Sequence, residues 1–198
     1  MMLRSLMAVL ILSVAGVVEA GSLFDAAASG DLAETKHLLT QNIDVDERGQ
    51  NQESPLLAAA LAGHIEIVQI LIENGANVLA RNRGGLTPLH AAAYSGNVEV
   101  AKLLLDHGAV LGDNKNFSGA TPLIVAAEEN RVSAAKLLIE RGANVDIPDR
   151  DGFTALTAAW AKGRIEMVRL LKANGAVCQP VAVLGTEDYR RKCVEAGK

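Results

Sequence analysis

Apolar residues in this chain come in short paired bursts. One burst runs unbroken through the stretch from Pro55 to Ala62, and after Gly63-His64 a second begins at Ile65. The next pair starts at Pro88. Its second member places Val98, Val100, Ala101, Leu103, Leu104 and Leu105 on a helical period and ends at Gly108. The pattern predicts two short antiparallel helices per pair, over about 55–62 and 65–73 in one case and 155–162 and 165–173 in another. The flanks agree. Thr87 is a good N-cap because its hydroxyl accepts a free amide of the first turn, Pro88 suits the first helical position, and Gly96 can take the left-handed conformation that ends a helix.

The pairs repeat. Ser54-Pro55-Leu56-Leu57, Thr87-Pro88-Leu89-His90, Thr121-Pro122-Leu123-Ile124 and Thr154-Ala155-Leu156-Thr157 follow one another at spacings of 33, 34 and 33 residues. Gly75-Ala76, Gly108-Ala109, Gly142-Ala143 and Gly175-Ala176 each stand 21 residues after their Ser or Thr. An altered first unit aligns Leu23, Phe24, Ala26 and Ala27 with the first helix and Leu32, Lys36, Leu38 and Leu39 with the second; Gly21-Ser22 replaces Thr-Pro, and Asn42-Ile43 replaces Gly-Ala. Terminal repeats of a stack are expected to depart from the pattern because one face meets water. Two departures fall inside. Gln52 stands where the other lead-in loops have glycine, which puts the geometry of that turn in question. Asn130-Arg131 stands in place of Gly-His between two helices, where asparagine should keep the left-handed turn.

A period near 33 with T-P-L-H-x-A resembles the ankyrin repeat. The resemblance covers roughly residues 21–176. It implies an all-α solenoid of five helix-turn-helix repeats, at about 21–45, 46–78, 79–111, 112–145 and 146–176; the residues on either side add a signal peptide before it and a short capping helix after it. It also implies a non-catalytic module that binds a protein on the concave face made by loop tips and the open side of each first helix. Carried over position by position, the binding residues expected are Arg81, Arg83, Leu86, Tyr94, Phe117, Glu128, Glu129, Arg150, Phe153 and Lys162, because aromatic residues and arginine dominate interface hot spots. His90 is expected to bond between repeat loops, as the family uses the imidazole of this motif.

Residues 1–20 break the pattern. Arg4, the apolar run Leu6–Val18 and small residues before Ala20 form a secretory signal peptide with cleavage expected between Ala20 and Gly21. The run is short for a membrane span, which needs about 20 apolar residues. An exported chain is therefore expected, periplasmic or else secreted, with no stable span once the leader is removed. At the other end, 177–198 is expected to cap the last repeat. Thr186 would start a helix over 189–196, and Trp160, where other units have alanine, would lie under this cover. Both cysteines, Cys178 and Cys193, lie in the tail. In an oxidising compartment such a pair is expected to be a disulfide, closing a loop of about 15 residues and contributing about 3 kcal/mol in the chain-entropy picture.

Composition narrows the function. The chain is 49% apolar and only 3% aromatic, which suits a core of Ala, Leu, Val and Ile in closely packed helices. The net charge of −4 leaves no basic excess for a phosphate backbone, so nucleic acid is not an expected partner. The four histidines show no ligand spacing, and neither a nucleophile elbow nor a phosphate-binding glycine loop is present. No cofactor or metal is expected, and a monomer is. Asn116-Phe117-Ser118 reads as an N-glycosylation sequon. Two other readings stay open: an envelope or stress-related scaffold without one fixed partner, and a thiol-redox enzyme using Cys178 and Cys193.

Overall fold

A computed structural model describes residues 22–179. The leader, its cleavage site, and the tail from residue 180 with Cys193 and the expected terminal helix lie outside the described residues. Among the described residues there are ten α-helices and no strand. The first helices of the pairs are α1 (Leu23–Ser29), α3 (Pro55–Ala62), α5 (Pro88–Ser95), α7 (Pro122–Glu128) and α9 (Ala155–Ala161). The second helices are α2 (Leu32–Leu39), α4 (Ile65–Glu73), α6 (Val98–Asp106), α8 (Val132–Glu140) and α10 (Ile165–Ala173). Each first helix packs on the next first helix, each second helix on the next second helix, and the two rows pack on one another within each pair. The result is a two-layer stack of five repeats with a continuous core.

The periodicity explains the layers. Every second helix after the first repeat buries the same three positions: Ile67, Val68 and Leu71; Val100, Ala101 and Leu104; Ala134, Ala135 and Leu138; Met167, Val168 and Leu171. In the altered first unit Thr35 stands where Val68 does and stays buried because its Oγ1 donates to the Asp31 carbonyl at 2.7 Å. The first helices after α1 bury most of their length, and alanines at 59–60, 92–93 and 126–127 let neighbouring helices approach closely. Trp160, the exception in this series, is half-buried against the core.

Local chemistry fixes the ends. Ser22, Ser54, Thr121 and Thr154 each accept the amide three residues on, at 3.0–3.5 Å. Thr87 caps α5 through a capping box with His90, its amide and hydroxyl donating to His90 Nδ1 at 3.2 and 2.8 Å. The turn left in question by Gln52 keeps the left-handed residue before the helix but changes shape ahead of it, since Asn51 is left-handed as well (φ 54°) where Gly84, Ser118 and Asp151 are not. Gln52 adopts φ 61° where Gly85, Gly119 and Gly152 have 81°, 74° and 85°, so a side chain is carried in a backbone region that favours glycine. Asn130 likewise holds φ 56° and preserves the turn between α7 and α8.

Candidate interaction groove

The lead-in loops and the first helices make the candidate site. Each loop is stiffened by a bond back across itself. Asn82 Oδ1 accepts the Leu86 amide at 2.9 Å, Asn116 Oδ1 the Ala120 amide at 3.0 Å, and Asp149 Oδ1 the Phe153 amide at 2.8 Å. Neighbouring tips are then tied by backbone bonds: Arg83 N to Asn51 O at 2.7 Å, Phe117 N to Gly84 O at 3.0 Å, and Arg150 N to Ser118 O at 2.9 Å. The second helices brace the stack in the same way at their starts. Asn97 Nδ2 donates to Gly63 O at 3.3 Å and Arg131 Nε to Tyr94 O at 2.9 Å. Arg164 occupies the corresponding place in the last repeat, and its buried Nε has no partner among the described residues.

A buried polar knot joins the third and fourth repeats. His90 is 1% exposed, and its Nε2 donates toward the carbonyls of Asp113 and Ala120, both at 3.1 Å. Since Nδ1 accepts from Thr87, the imidazole is neutral with its proton on Nε2. Burial pushes the imidazole below its ordinary range, against the opposing pull of the Ala120 carbonyl and of Asp113. Beside it Arg81 grips Asp113 with two guanidinium nitrogens, Nη1 to Oδ1 at 3.0 Å and Nη2 to Oδ2, and Nη1 also donates to Gly85 O at 2.9 Å. Burial opposes the Asp113 charge, but the bonds from Arg81 and the Lys115 amide outweigh it and hold the carboxyl below its usual range. The expected inter-loop role of His90 is thus realised, with Asp113 and Arg81 as companions.

Between the loops and the first-helix row lies a groove of about 470 Å³. Its apolar floor comes from Leu57, Leu61, Leu86, Ala91, Tyr94 and Val125, and its ends carry Glu53 on one side and Glu128 and Glu129 on the other. Tyr94 is 50% and Leu61 41% exposed, so the floor is open to a ligand. Burial lifts the Glu128 carboxyl above its ordinary range; Lys162 pulls it down, and Glu129 and Asp149 add to the lift. No Lys or Arg lines the groove.

Of the residues expected to bind, the groove brings together Leu86, Tyr94, Glu128 and Glu129. Lys162 is exposed and acts on Glu128 through its charge alone. Arg83 and Arg150 are exposed on the tips, and Phe117 is 71% exposed there. Phe153 is half-buried outside the groove lining. Arg81 has its guanidinium engaged in the inter-repeat knot. Sequence reasoning missed Leu57 and Val125 of the floor. Val125 had a signal, since Ala58, Ala91 and Ala158 stand at its position in the other repeats. The sequon is a structural motif here: Asn116 is 1% exposed, and its Nδ2 donates to Ala120 O at 2.6 Å. Cys178 is half-buried, with Lys172 Nζ 3.4 Å from its sulfur.

Among the described residues, no group of three His, Cys, Asp or Glu side chains is placed to hold a metal ion, and no helix is long and apolar enough to cross a membrane. The family model described as ankyrin repeats (3 copies) matches residues 23–115 and 111–181. No curated protein matches the chain.

Proposed function

The chain belongs to the ankyrin-repeat family, and on that premise we propose that it binds a protein partner, without catalysis, through the groove over α3, α5 and α7. Ankyrin repeats are in general protein-interaction modules rather than enzymes. The observation that carries the reading is the open apolar floor around Tyr94, set in a frame whose loops and helices are already bonded to one another. A surface fixed before binding loses little conformational freedom when a ligand arrives, so more of its contact energy appears as affinity.

The proposal includes export to the periplasm, or secretion, with cleavage between Ala20 and Gly21 and a Cys178–Cys193 disulfide over the last repeat. Its support is the charge and hydropathy of residues 1–20 and the presence of exactly two cysteines, both in the tail. Affinity capture from the native extracytoplasmic fraction, with sequencing of the mature N-terminus and intact-mass analysis, tests it. The expected result is one protein retained in constant ratio, lost with Tyr94→Ala at unchanged helix content, and a chain beginning at Gly21 with oxidised cysteines. Equal retention by Tyr94→Ala would remove the groove as the binding surface. Many proteins in variable ratio would favour a shielding scaffold.

A further inference from the structure

The groove has a sign as well as a shape. Three carboxylates stand at its ends, no Lys or Arg lines it, and the one histidine in its wall is buried and neutral. Glu53 lies just before α3, and Glu128 and Glu129 close α7, on either side of α5. Helices packed side by side are about 8–10 Å apart, and Glu128 lies about 12 Å farther along the helix axis than Glu53, at the far end of α7, so the two acidic ends are separated by about 20–23 Å on the diagonal. An extended chain rising about 3.3 Å per residue covers that span with about six or seven residues. The exposed cations Arg83 and Arg150 sit on the tips, and Lys162 lies outside the lining but acts on Glu128 through its charge.

We propose that the groove takes an extended basic segment of a partner protein, with an apolar side chain seated on Leu61, Tyr94 and Val125 and flanking Lys or Arg residues against Glu53 and against Glu128 and Glu129. The inference rests on the groove being the binding surface. Two observations favour a cationic ligand over a neutral one. Glu128 is half-buried, and burial opposes its charge more than Lys162 supports it, so a positive group arriving there beside Glu129 replaces lost hydration. Tyr94 is half-exposed on the same floor, and an aromatic ring within reach of a guanidinium or ammonium group adds attraction that a neutral side chain would not gain. Complementary charge of this kind sets partner choice and speeds encounter, and it is weakened by salt.

The test is selection of a random twelve-residue displayed peptide library on the purified full-length chain, with parallel rounds on E128Q/E129Q. The selected pool is expected to carry Lys or Arg on both sides of a Leu, Ile or Phe. Individual peptides are expected to bind the double variant at least about fivefold more weakly and to lose affinity with rising salt. E129Q alone serves should the double variant fail to melt as the wild type does. A pool without a Lys/Arg excess, or no enrichment over the parallel rounds, overturns the inference. Peptides lost with Tyr94→Ala yet indifferent to both glutamates overturn the charge preference and leave the groove standing. Peptides indifferent to all three residues overturn the groove itself.

Discussion

Cutting the grip of Arg81 on Asp113 should cost more than any other ion pair in the described stack. Asp113 has its side chain 5% exposed and Arg81 32%, and the carboxylate takes two guanidinium nitrogens and the Lys115 amide. Asp113→Ala removes bonds that are worth about 1.5–3 kcal/mol each when a charge is involved, and it leaves Arg81 with only Gly85 O. Because Arg81 is about a third open to water, which re-solvates it, and because bonds within one network do not add, the expected loss falls below the sum of the three, at about 2–3 kcal/mol in total. For a chain of this size that is a fall of about 5–10 °C in melting temperature. The assay is a double-mutant cycle, Arg81→Ala against Asp113→Ala, read by urea denaturation and circular dichroism. A coupling of about 1–2 kcal/mol is expected. The comparison is Arg141–Asp106 at 2.8 Å, whose side chains are 32% and 48% exposed; its coupling should stay under about 0.5 kcal/mol and vanish in salt. Equal couplings in the two cycles, or additive single losses at Arg81 and Asp113, would refute the reasoning.

Three further outcomes follow from the same structure. Leu104, fully buried in α6, should cost about 2–5 kcal/mol when cut to alanine; an unmoved denaturation midpoint would show that the buried face is assigned wrongly. Gln52→Gly should raise stability by up to about 1 kcal/mol, because relief of the left-handed backbone outweighs the extra freedom of glycine in the unfolded chain; a clear loss would mean that the turn prefers its side chain. His90, held below its ordinary range by burial, binds its proton more readily in the unfolded chain. Its contribution is therefore complete above about pH 6.5 and is lost as pH falls from there toward the folded value. Melting temperature should drop from pH 7 to 5.5 in the wild type and less so in His90→Gln; parallel slopes would exclude His90 as the cause.

The repeat frame was legible because it rests on local chemistry. Serine and threonine caps, the proline after them, and glycine or asparagine at left-handed turns each act within a few residues, and the structure places them at Ser54, Thr87, Thr121, Gly63, Gly96 and Asn130 as the spacing implied. Buried second-helix positions were legible for the same reason: a single helical period decides them. The site was legible only in part, because its residues meet across repeats. Arg81 and Asp113 are 32 positions apart, and nothing in either neighbourhood announces the other. Asn116 looked like a tip residue with a modification signal, yet it stands where Asn82 and Asp149 do and, like them, bonds back across its own loop. The acidic ends of the groove come from repeats two and four, so their shared sign emerges only once α5 lies between them.

The claim that the groove is the working surface is tested most directly by site-specific photocrosslinking in the native cells. A benzophenone amino acid placed at Tyr94, on the groove floor, should give one discrete adduct of fixed mass. The same group at Lys136, exposed on α8 in the second-helix row, should give none. Adducts from position 136 with none from position 94 would contradict the account.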